Sequence, residues 1–138
     1  MSVILQRVAC ATLLASVFGL ANAEDVKVTL TGDQEVPPVT TRAKGEGDIK
    51  VNADKSVSGK ITTQGIEGTM AHIHEGKAPG ENGPPIITLE KGSDGKWIVP
   101  KGSKLTNEQY EAFKAGRLYV NVHSAEHKGG ELRATLKP

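Results

Sequence analysis

The chain has 138 residues, with 17 lysines and arginines against 16 aspartates and glutamates, four histidines and one cysteine. So even a balance supplies no basic field for nucleic acid or an anionic membrane surface. The length suits one domain with a single core.

Residues 1–23 read as a secretory signal peptide. Arg7 gives the positive start, and Val8 to Leu20 form an apolar run interrupted by Cys10, Ser16 and Gly19. Ala21-Asn22-Ala23 matches a small-x-small cleavage site,. The run is too short for a stable membrane anchor. The mature chain, 24–138, is therefore expected in the periplasm or outside the cell, with no membrane anchor after cleavage. Cys10 leaves with the signal, so the mature chain has no disulfide, thiolate ligand or cysteine nucleophile,.

From Val26 onward the pattern is one of short strands. Val26, Val28 and Leu30 alternate with Lys27 and Thr29, the two-residue period of a half-buried strand. Glu35-Val36-Pro37-Pro38-Val39 carries two prolines, which suit an edge or corner and not a central strand. Ile49 and Val51 mark the next strand, and Asn52-Ala53-Asp54-Lys55 makes a turn into Val57 to Thr63. Further strands are expected at Thr69 to His74, Ile86 to Leu89, Lys96 to Val99, Arg117 to His123 and Glu131 to Leu136. One helix interrupts them. Thr106 and Gln109 fit a capping box, Tyr110 and Phe113 share a face, and Gly116 sits where a C-terminal cap belongs,. The whole predicts an all-β domain, an antiparallel Greek-key β-sandwich or barrel with one short helix.

All four histidines fall in the mature chain, as His72 with His74 and His123 with His127. In Met70-Ala71-His72-Ile73-His74, Ala71 and Ile73 form the apolar face, so Met70, His72 and His74 point the other way. The two imidazoles then leave the strand about 6.6 Å apart, close enough to converge on one ion. Leu118, Val120 and Val122 form the core face of a second strand, which turns His123 outward in the same phase. If the two strands are neighbours, His72, His74 and His123 form an open three-nitrogen cluster on the surface. His127, in the loop Ser124 to Gly130, is a candidate fourth ligand. Imidazoles without a thiolate suit copper(II), zinc or nickel, and copper binds tightest among divalent ions. Zinc with an open position is the alternative, and Met70 offers a thioether suited to copper(I). Glu75 and Glu126 read as solvated loop carboxylates, and Glu131 with Arg133 as a surface pair. Gly76 to Gly83 reads as a surface loop beside the histidine pair.

With those residues in view, the chain resembles the CHRD (chordin-type) family along nearly all of its mature length. The resemblance is carried by Leu30 to Val39, by Ala71 to Gly76 with Asn82-Gly83-Pro84, and by Leu105-Thr106, Gln109 and Ala115-Gly116. It continues in Leu118 to Ser124 and Gly129 to Arg133. It implies a module similar in build to immunoglobulin-like sandwiches, found in chordin, a growth-factor-binding protein, and as stand-alone exported bacterial proteins. A looser resemblance is to copper superoxide dismutases, whose strand His-x-His, glycine-rich loop, late histidine and downstream arginine look like His72, His74, His123 and Arg133. The chain has no counterpart of their bridging histidine, zinc ligands or disulfide.

These readings lead to an exported protein that holds one copper ion for buffering, storage or delivery. A copper-dependent, dismutase-like redox enzyme and a metal-free structural or protein-binding module are the alternatives. The expected partner is a metal ion, with no nucleic acid.

Overall fold

A computed structural model describes residues 23–138; the predicted signal peptide, Ala23 apart, lies outside them. Two antiparallel sheets face each other. The first orders its strands β1 (Glu24–Leu30), β2 (Lys44–Val51), β3 (Val57–Gln64), β7 (Lys96–Ile98) and β6 (Glu90–Lys91). The second orders β5 (Pro85–Thr88), β4 (Gly68–Glu75), β8 (Leu118–Ser124) and β9 (Leu132–Leu136). The fold is an all-β sandwich with one short helix, α1 (Asn107–Lys114).

The alternation in sequence accounts for the core. Val26, Val28, Leu30, Ile49, Val51, Val57 and Ile61 of the first sheet meet Ala71, Ile73, Leu118, Val120, Val122, Leu132, Ala134 and Leu136 of the second. Helix α1 adds Ala112 and Phe113 to the same core. Thr106 caps it as expected: Gln109 N donates to Thr106 Oγ1 and Thr106 N donates to Gln109 Oε1. Gly116, at φ +72°, ends the helix in the left-handed region that glycine adopts without strain,.

Strand β4 carries a bulge. Gly68 faces Ser124 and Met70 faces His123, so Thr69 is the extra residue,. It shifts the phase by one. Gly68 turns into the core, where a Cβ would stand 2.7 Å from Trp97, while Met70, His72 and His74 keep the outer face.

The outer faces of the two sheets differ. The first is open to solvent and carries surface ion pairs such as Lys27–Asp48. The second is roofed by two loops, residues 32–43 and 76–84. Where β1 ends, Thr31 and Arg133 exchange backbone hydrogen bonds, 3.2 and 3.1 Å. The chain then turns across the outer face of β8 and β9. Asn82 fastens the roof, donating to Val36 O and accepting from the Arg133 guanidinium, both at 2.7 Å. As a result every residue of β8 is buried on both faces.

That roof corrects two expectations. The histidine cluster is not fully on the surface: His74 and His123 are buried, and only His72 keeps partial exposure. Arg133 and Glu131 are not a surface pair either. Arg133 is buried against Asn82 and Glu81 O, and Glu131 is buried accepting from Ser124 Oγ and Thr41 Oγ1. Glu75 is likewise engaged, at 3.3 Å from Arg117 Nη1.

Phe113 is fully buried where the helix meets the sandwich. Phe113→Ala should destabilise the protein by about 3–5 kcal/mol, measured by urea denaturation, without moving the histidine resonances in an NMR spectrum.

Candidate metal centre

Strands β4 and β8 are hydrogen-bonded neighbours, with Met70 opposite His123, His72 opposite Asn121 and His74 opposite Tyr119. This register brings His72, His74 and His123 together, with ligand nitrogens all within 4.8 Å of one another. His74 and His123 are each only 7% exposed, and His72 is half-buried.

Two backbone carbonyls set the chemistry of these rings. His74 Nδ1 lies 2.8 Å from Gly83 O, and His123 Nδ1 lies 2.8 Å from Lys128 O. A carbonyl oxygen only accepts, so both Nδ1 atoms must carry the proton and donate. Each neutral ring is left with a bare Nε2. His123 Nε2 lies 3.0 Å from His72 Nδ1, which donates to it in the metal-free protein. His74 Nε2 is buried and makes no hydrogen bond of good geometry, with the Asn121 side chain as its polar neighbour. A buried acceptor without a hydrogen bond costs about 1–3 kcal/mol, and a bare imidazole nitrogen is of the type that could hold a metal ion,. Two nitrogens bound to one tetrahedral ion at the usual bond length stand about 3.3 Å apart, close to the 3.0 Å seen between His72 and His123. The donor set fits copper(II) or zinc, with an open position.

Burial disfavours the charged forms of His72 and His74. His72 and His74 both have pKa values below the ordinary 6.5, chiefly because desolvation disfavours their charged forms. Positive charge on His123 would lower both further, while the Gly83 bond partly offsets the shift at His74. Neutral rings are the form that binds metal.

Around the triad lies a stacked polar layer. The Tyr119 ring is parallel to His74 at 4.8 Å, and the Arg133 guanidinium sits 3.5 Å from its centroid. β4 and β9 flank β8, so His74 and Arg133 sandwich Tyr119 from opposite sides. The Tyr119 hydroxyl accepts from Gly83 N at 3.0 Å and donates to Gly83 O at 3.2 Å, fixing the carbonyl that orients His74.

The other candidates lie apart. His127 is not in the cluster; its Nε2 lies 4.0 Å from Glu131 Oε1, beside the cleft bounded by Glu67 and Glu126. Its own carbonyl accepts from Gly130 N, holding the hairpin whose Lys128 carbonyl orients His123. Met70 is 51% exposed on the triad's strand face. The sequence reading passed over Tyr119, Asn121, Asn82 and Glu35. Tyr119 and Asn121 share the outward phase of His123, and that alternation was the signal available for them.

Fold and site together define a β-sandwich module with a candidate metal centre buried on the outer face of one sheet. The CHRD domain model matches residues 26–136, and the chain belongs to that family. CHRD domains occur in secreted proteins, and among the described residues no helix is long and apolar enough to cross a membrane. No curated protein and no solved structure matches the chain.

The histidine shifts set a pH dependence. Folded His72 and His74 bind protons less readily than the unfolded chain does, so stability falls as pH drops below the unfolded value of 6.5,. The loss stops once the lowered folded values are passed. Metal-free protein should show a lower urea midpoint at about pH 5.5 than at about pH 7.5, and the difference should shrink in His72→Gln.

Proposed function

We infer that this protein is an exported copper-binding module, holding one ion at His72, His74 and His123 for buffering, storage or delivery. The observation that carries the reading is the convergence of three imidazoles, with nitrogens within 4.8 Å of one another, in which His74 Nδ1 is held by Gly83 O and its Nε2 is buried without a hydrogen bond. The ligand chemistry favours copper over the other divalent ions, with zinc as its competitor. The half-buried His72 is the ring through which an ion reaches the site. Export rests on the leader-like first 23 residues and on the family's occurrence in secreted proteins.

A dismutase-like enzyme would need Arg133 free to guide an anion. Arg133 is buried, stacked on Tyr119, and commits Nη1 to Asn82 Oδ1 and Nη2 to Glu81 O. Binding, without turnover, is therefore the reading that the geometry favours.

Copper(II) titration of metal-free protein, followed by EPR, should give nitrogen hyperfine structure that saturates at about one equivalent. His74→Ala should weaken binding by more than about tenfold, whereas His127→Ala should leave the spectrum unchanged. A spectrum of loosely bound copper at the first equivalent would overturn the reading.

A further inference from the structure

The polar layer contains a carboxylate that the triad does not use. Glu35 comes from the 32–43 loop, is only 4% exposed, and has no partner for Oε1. The fold is shaped to seat it. Gly32 O accepts from both Glu35 N, at 3.1 Å, and Val39 N, at 2.8 Å, drawing the loop tight. Gly130 leaves the space: a Cβ there would stand 2.5 Å from Glu35 Oε1 and 2.6 Å from Asn121 Nδ2. Asn121 is the cross-strand partner of His72 and lies against His74 as well as Glu35. The carboxylate is therefore separated from the triad by a single side chain.

No cation is paired with it. Arg133 is near enough to act on Glu35 electrostatically, but its hydrogen bonds go to Asn82 and Glu81. Burial is the larger effect and pushes the Glu35 carboxyl above its usual 4.5. A buried carboxylate without an ion-pair partner is costly even where Asn121 and the Val36 backbone interact with it,. It becomes favourable when a second positive charge arrives nearby. Imidazole ligands bind metal in their neutral form and bring no charge of their own, so a divalent ion in the triad would leave two positive charges in a largely buried site,.

We propose that Glu35 is the counter-charge of the metal centre, and that through it the site holds a divalent copper ion in preference to a monovalent one. This rests on the copper reading above and adds a selection of oxidation state to it. Coulomb attraction scales with the charge of the ion, so the carboxylate stabilises copper(II) more than copper(I). Asn121 lies between the two, in the position to relay the orientation of His74.

The test is the reduction potential of the copper-loaded protein, with copper(II) and copper(I) affinities measured by competition. Glu35→Gln keeps the shape and removes the charge. It should weaken copper(II) binding about tenfold more than copper(I) binding, raising the potential by about 59 mV. Glu35→Asp should keep most of the wild-type potential. A purely structural role would lower the melting temperature of the metal-free protein without moving the potential, and an unmoved potential in Glu35→Gln overturns the proposal. If Glu35→Gln does not fold, Glu35→Ala, which removes the charge together with the side-chain bulk, carries the test with the same expected sign, and an unmoved potential there overturns the proposal equally. Wild-type protein that takes up no copper would overturn the copper reading itself, and this inference with it.

Discussion

The carbonyl oxygens of Gly83 and Lys128 are the constraint on which the site depends. Each accepts the Nδ1 proton of one histidine and so leaves the opposite nitrogen of the neutral ring bare; that of His123 lies 3.0 Å from His72 Nδ1. Neither carbonyl belongs to the strands that carry the histidines. Gly83 closes the 76–84 loop, where Tyr119 grips both its amide and its carbonyl. Lys128 lies in the β8–β9 hairpin, held by the bond from Gly130 N to His127 O. Without these loops the same three rings would be free to choose tautomer and rotamer, and a metal would have to order them. With them, much of that ordering entropy is spent during folding.

The roof explains why an outer sheet face can hold so many polar groups. Buried polar atoms must be paired, or they destabilise. Arg133, Asn82, Tyr119 and Glu131 are each engaged with a loop or a neighbouring strand. The atoms left over are His74 Nε2, Asn121 Oδ1 and Glu35 Oε1, all in one region. Their clustering gives the exception a meaning: the folded protein carries its unsatisfied polar atoms where an ion would make them favourable. The apolar core between the sheets carries the stability that offsets this, and it shares no side chain with the triad.

The family assignment and the geometry address different questions. CHRD membership establishes the module and its association with secreted proteins. It does not specify an activity, because one fold serves many functions. What the site can do follows from nitrogen lone pairs, burial and charge at named residues. These favour an ion held in a shielded site over an anion delivered to an open one.

Local sequence determined the strands, the capped helix and the phase of the histidines. Val26 to Leu30, Val57 to Thr63 and Leu118 to His123 alternate so regularly that their core faces could be read directly. Thr106 and Gln109 likewise mark the helix start through contacts within one turn. The pairing of β4 with β8 was not legible, because antiparallel neighbours this far apart in sequence leave no local mark. Nor was the burial of the outer face. Outward phase says only that a side chain leaves the core, and whether it meets water depends on loops arriving from residues 32–43 and 76–84. Glu35 shows the limit most clearly: in sequence it is one more loop carboxylate before two prolines. Only the tertiary structure places it behind Asn121, because long-range packing and the space left at Gly130 decide where that charge goes.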